Sequence, residues 1–173
     1  LIETKLFEGR QLQENSNGSI VVEGVLQRAN AKNQNGRVYP RNILEREVEK
    51  YQKLIDERRA LGELDHPNSS VINLKNVSHN IAELSWDGDD VVGKVEVLST
   101  PSGNILRELL RNNITLGISS RGLGSVKQTN EGLLVGEDYN LLGWDFVSNP
   151  STHGAFMNPI FEGFNSAFEE YQC

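Results

Sequence analysis

Apolar residues first recur at strand-like spacing between Ser19 and Gln27, where Ser-Ile-Val-Val-Glu-Gly-Val-Leu-Gln has β-branched composition and Gly24 marks an expected bulge. The residues ahead of it, 1–18, are polar and rich in Asn, Gln and Ser from Gln11 to Gly18, the pattern of a mobile leader. Asn30 to Arg37 reads as a loop with Asn35-Gly36 at its tip, and Pro40 suits the first position of a helix. In that helix Leu44, Val48, Tyr51 and Ile55 form one apolar stripe on a charged surface that ends near Arg59.

Beyond a turn at His66-Pro67 and a polar loop, Val77 to Trp86 alternates, placing Val77, His79, Ile81 and Glu83 on one strand face. Asp87-Gly88 joins this run to Val91–Leu98 as a hairpin. Pro101-Ser102-Gly103 opens a shorter helix expected to bury Ile105, Leu106, Leu109 and Leu110 and to close at Asn112-Asn113. A glycine-rich extended stretch, Gly117 to Gly124, follows. Ser125–Gln128 and Leu133–Glu137 then predict a hairpin, Leu141–Val147 a strand, Asn149–Gly154 a loop, and Ile160–Tyr171 a loosely apolar tail of helical character. Six or more strands with two inserted helices predict one mainly β domain, barrel-like or sandwich-like, with helices packed outside.

Charge narrows the functions. Seventeen Lys and Arg against 24 Asp and Glu give a net charge of −7, against nonspecific nucleic-acid binding, which needs clustered cations. No apolar run approaches the roughly 18 to 20 residues of a membrane span, and no signal peptide is visible, so a protein of the cell interior is expected. Cys173 is the one cysteine, which excludes an internal disulfide and suits a reducing compartment.

The chemistry concentrates in Gly117-Ile118-Ser119-Ser120-Arg121-Gly122-Leu123-Gly124, where two hydroxyls and a guanidinium lie among three glycines. On an extended chain Ser119 and Ser120 point to opposite faces, so one of them serves a given site. A serine hydroxyl becomes a nucleophile when a base, usually histidine, lies within hydrogen-bond reach. Three histidines exist: His66 in Gly62-Glu63-Leu64-Asp65-His66-Pro67, His79 in the alternating strand and His153 in a polar loop. Asp145, in Gly143-Trp144-Asp145-Phe146-Val147, offers a carboxylate to orient an imidazole; the competing role is an arginine pair or a turn cap. No His-x-x-x-His or paired-cysteine spacing supports a metal site, and no cofactor is expected.

Three of these blocks, Gly62–Pro67, Gly117–Ser125 and Trp144–Val147 with Ser148 to Ala155, resemble the conserved blocks of the prohead (capsid maturation) proteases of T-even-like tailed phages. Asn35-Gly36-Arg37-Val38-Tyr39-Pro40 resembles a further shared block, and together the likeness spans about residues 19 to 157. It implies a protease domain over 19–157, flanked by the leader 1–18 and a tail 158–173, with the mostly antiparallel β-barrel of herpesvirus assemblin surrounded by helices. It also implies a serine endopeptidase acting inside the immature capsid, in the host bacterial cytoplasm, on scaffold, capsid precursors and itself. Activation by dimerisation in assemblins implies a homo-oligomer.

By position, the resemblance makes His66 the general base and Ser119 the nucleophile. The third member is Asp145 or, eight residues later, His153. For the oxyanion or the substrate, Arg121, Lys127, Gly117 and Ser120 are the candidates. Cleavage after glutamate, with an apolar residue two positions earlier, is the preference implied, and Leu6-Phe7-Glu8 and Ile160-Phe161-Glu162 match it within the chain itself. The rival reading is a capsid or scaffold structural protein of the same fold in which these polar groups serve packing alone.

Overall fold

The computed structural model describes residues 20–67 and 69–148, together with the backbone of 13–14, 156–158 and 161–162. The strands of the first half are β1 (Gln13–Glu14), β2 (Ile20–Arg28), β3 (Arg37–Val38), β4 (Leu61–Glu63), β5 (Val77–Asp87) and β6 (Asp90–Val97), of which β2 and β6 are the β-branched runs. In the second half follow β7 (Leu116–Leu123), β8 (Val126–Thr129), β9 (Gly132–Val135), β10 (Asn140–Val147), β11 (Phe156–Asn158) and β12 (Phe161–Glu162). The helices are α1 (Arg41–Asp56) and α2 (Pro101–Arg111). Among the described residues, no helix is long and apolar enough to cross a membrane.

An antiparallel sheet runs β10–β7–β11–β2–β6–β5–β4, with β1 added to β2 and β12 to β11. A smaller sheet, β3–β9–β8, pairs β3 with β9 in parallel. A mainly β class with two flanking helices is therefore observed, but the ladder does not close into a barrel. The outermost strands, β4 and β10, are joined just past the end of β4 by a parallel bridge between Leu64 and Phe146, where the Asp65 N–H donates to the Phe146 carbonyl at 2.7 Å. The physical reason is local. β4 is three residues long, and the chain turns immediately after it at Asp65, whose φ of 70° is left-handed, a conformation aspartate tolerates better than most residues.

Pro40 stands just before α1 rather than as its first residue, its carbonyl accepting the Ile43 and Leu44 N–H groups, and the stripe Ile43, Leu44, Val48, Tyr51 and Ile55 is buried, each large aliphatic side chain contributing about 1.5–3 kcal/mol. Glu47 lies on the same buried face because it has a task there. Its carboxylate accepts the Leu141 N–H at 2.9 Å and pairs with Arg46 and Lys50, while Arg46 also donates to the Tyr139 carbonyl, so α1 grips the start of β10. Tyr51 meets the Trp144 ring edge-on at 4.9 Å, further along β10. α2 is capped by Thr100, which accepts the Gly103 N–H, and buries Leu106 and Leu110.

Several local expectations shift. Ile105 is exposed rather than buried, because a helix of 11 residues turns a narrower stripe inward than four apolar positions suggest. The bulge in β2 falls between Val25 and Gln27 rather than at Gly24, which pairs regularly with Gly93. In β5 every residue from Val77 to Ile81 is buried: β4 pairs along the edge of this end, and both helices pack against the strand. Phe161–Glu162 is strand rather than helix, paired with β11.

Candidate active site

Register fixes which side chains can meet. In the β7–β10 ladder Ser119 lies directly opposite Asp145, Ser120 opposite Trp144 and Arg121 opposite Gly143. Directly paired residues share a sheet face and successive residues alternate, so Gly117, Ser119, Arg121 and Asp145 lie on one face. Ser120, Ile118, Trp144 and Phe146 lie on the other.

His66 reaches the first face through the bridge between β4 and β10. Its Nδ1 is 2.7 Å from Asp145 Oδ2, and both side chains are buried. A carboxylate only accepts hydrogen bonds, so Nδ1 carries the proton and the neutral ring presents its lone pair at Nε2. That nitrogen is buried and makes no hydrogen bond among the described residues. Asp145 Oδ1 takes two further donors, the Glu63 N–H at 2.9 Å and Arg121 Nη2 at 2.8 Å. Burial alone raises the pKa of this carboxyl; the hydrogen bond and charge of His66 and those of Arg121 outweigh it, and the pKa falls below the usual carboxylate value.

Arg121 is held as tightly. Its Nη2 also donates to Glu63 Oε2 at 2.9 Å, and Nη1 donates to the Ser69 carbonyl at 3.3 Å. Two carboxylates against one guanidinium leave one negative charge among these three side chains. Glu63 is the residue that the sequence reading passed over, although two signals pointed to it. It sits inside the His66 block, and a guanidinium placed among glycines and serines calls for a buried counter-charge.

The remaining candidates separate. Ser120 is buried on the opposite face. Gly117 pairs with Val147 on one side and Phe156 on the other. Lys127 is exposed on β8 of the smaller sheet, and none of the cluster's hydrogen bonds among the described residues reaches it. His153 lies outside the described residues. His79 belongs to the core: its ring meets Phe146 edge-on at 4.7 Å, Nε2 donates to the Trp144 carbonyl at 2.8 Å and Nδ1 is 2.7 Å from Ser78 Oγ. Burial lowers its pKa to about 4.

Gly62 allows the seam to form. A Cβ there would stand 2.1 Å from His79 Nε2 and 2.3 Å from the Trp144 carbonyl oxygen, so any side chain would push β4 off β10 and carry His66 away with it. Beside the His66 turn lies an apolar cavity of about 210 Å³, lined by Leu64, Leu109, Leu116, Phe146 and Val147, with Asp65 and Ser148 at its polar part.

An Asp–His pair on the same sheet face as a strand serine, carried by a mainly β scaffold, is an arrangement used by serine hydrolases on several unrelated folds. The family described as prohead core protein serine protease matches residues 1–165. The chain belongs to that family, which makes it a protease of capsid maturation. It is 36% identical over 145 residues to the prohead core protein protease of Enterobacteria phage T4, covering 81% of this chain and 68% of that protein. The solved structure of the bacteriophage T4 capsid assembly protease superimposes with a TM-score of 0.75 at 32% identity, covering 82% of this chain and 92% of that one.

Proposed function

We propose that the protein is a serine endopeptidase of the phage prohead, with Ser119 as nucleophile, His66 as general base and Asp145 as the group that orients His66. The observation that carries this reading is the His66 Nδ1–Asp145 Oδ2 hydrogen bond of 2.7 Å, made on the sheet face that Ser119 shares, with Nε2 left without a hydrogen bond among the described residues. Nε2 takes the Ser119 Oγ proton as Oγ attacks the scissile carbonyl carbon. The imidazolium is stabilised by Asp145 and then gives its proton to the leaving amine, and water repeats the sequence on the acyl-enzyme.

The substrates we assign are scaffold and capsid precursor proteins, and the chain itself, cut after glutamate inside the prohead. Of the two cations considered for the substrate glutamate, Arg121 is committed to Glu63 and Asp145, which leaves Lys127 as the one to test. Of the self-cleavage sequences, Leu6-Phe7-Glu8 lies outside the described residues. Cleavage after Glu162 requires β12 to leave β11. Ser119 is 1% exposed, so substrate enters only when its surroundings open, and we take the active species to be an assembled, oligomeric one.

Digestion of purified scaffold protein by wild-type chain and by Ser119→Ala, read as fragment masses, tests the proposal. New termini following glutamate with wild type and none with Ser119→Ala are expected. Cleavage by Ser119→Ala at the wild-type rate overturns the assignment, and an intact scaffold after incubation with oligomeric wild type favours the structural-protein reading.

A further inference from the structure

We infer that Glu63 is a positioning residue for the reaction, acting through Arg121 and Asp145; this rests on the serine-protease reading above. Glu63 holds the site by two separate parts. Its backbone N–H fixes Asp145 Oδ1, and its carboxylate binds Arg121 Nη2, the same nitrogen that donates to Asp145 Oδ1. The carboxylate is itself anchored by the Asn73 N–H at 3.2 Å, while Arg121 Nη1 holds the Ser69 carbonyl. Ser69 and Asn73 belong to the segment that follows His66, and Asn73 in turn caps the short 3₁₀ turn at Leu74–Asn76 through the Lys75 N–H. The Glu63–Arg121 pair therefore clamps the loop carrying the base onto β7, the strand carrying the serine.

Charge gives the pair its second effect. An arginine facing Asp145 alone would compete with His66 for the carboxylate and oppose the imidazolium that forms during attack. Glu63 draws part of that charge to itself, leaving Oδ2 to the imidazole. The pair is buried, with both side chains about 1% exposed, so solvent screens this division of charge little.

Glu63→Gln in the full chain tests this, because glutamine keeps the shape and an acceptor oxygen but loses the charge. The expected result is a kcat about tenfold lower with KM within about twofold, as for the loss of an outer group that orients a catalytic one. Without substrate, the downfield proton resonance of the His66 Nδ1–H, assigned by its absence in His66→Gln, is expected to move upfield or broaden. A purely structural Glu63 would lower the melting temperature while leaving kcat per folded molecule and this resonance as in wild type, and that result overturns the inference. If Glu63→Gln does not fold, Arg121→Lys carries the test. It keeps the cation but loses the reach to Ser69, and an unchanged kcat and resonance there overturn the inference equally. The resonance is independent of turnover. A wild-type chain that cleaves nothing but whose resonance shifts in Glu63→Gln sinks the protease reading and leaves the positioning intact; normal cleavage with no response to Glu63→Gln does the reverse.

Discussion

The two faces of the β7–β10 ladder each hold a serine and a histidine, yet they do different things. On one face His66 gives one nitrogen to a buried carboxylate and keeps the other without a hydrogen bond among the described residues. On the opposite face His79 spends both nitrogens, on the Trp144 carbonyl and the Ser78 hydroxyl, and is packed against Phe146. The first arrangement leaves one ring nitrogen unbonded among the described residues beside a buried carboxylate, which is what the proposed general base requires. The second satisfies the ring completely and resists protonation, with a pKa lowered to about 4. Residue type is the same on both faces; the partner set by strand register makes the difference.

The largest expected contrast is catalytic. Ser119→Ala and His66→Ala should each lower turnover by about ten-thousandfold or more, whereas Ser120→Ala should stay within about tenfold of wild type. Scaffold digestion with normalised folded protein measures it, and equal losses at Ser119 and Ser120 would break the two-face distinction. Next comes Asp145→Asn. An amide at this position can donate to Nδ1 and select the wrong tautomer, so a loss of about a hundred- to ten-thousandfold in kcat is expected from steady-state kinetics, with little change in KM.

The seam that joins the faces is open to a stability test. Gly62→Ala drives a methyl group into His79 and the Trp144 carbonyl, and an urea midpoint showing a loss of about 3 kcal/mol or more is expected. A wild-type midpoint would mean that β4 does not sit against β10 as described. The smallest effect is a pH dependence on the core face. The unfolded His79 takes up a proton as pH falls through about 6.5, while the folded ring resists until about 4. Its contribution to stability is therefore full above about 6.5 and is lost as pH falls from there toward 4. Melting temperatures of wild type should drop across that window, and those of His79→Gln should drop less.

Much of the local structure was legible in the chain. The stripe Leu44, Val48, Tyr51 and Ile55 marked α1, Pro101-Ser102-Gly103 and Asn112-Asn113 bounded α2, and Asp87-Gly88 marked the β5–β6 hairpin, because such features depend on spacing and turn chemistry within a few residues. Glu47 was not legible as a buried group, and Glu63 only through its place in the His66 block and the need of Arg121 for a counter-charge. Their burial depends on partners 94 and 58 residues away, Leu141 and Arg121, and a charged residue reads as surface until its counter-charge is located. Ser119 and Ser120 could be assigned to opposite faces from alternation alone, but which face held the base could not.

The sequence by itself determined the longer strands, the two helices, the glycine-flanked serines, the histidine turn and the family likeness, since periodicity and motif are properties of neighbouring residues. Only the tertiary structure decided that β11 inserts between β7 and β2, that β3 joins β9 in parallel, and that β4 touches β10 at Leu64 and Phe146. Those pairings link segments far apart along the chain and are chosen by the burial and hydrogen bonding of the whole sheet. The last of them brings His66 to Asp145, 79 residues away, and so turns separate polar residues into one site.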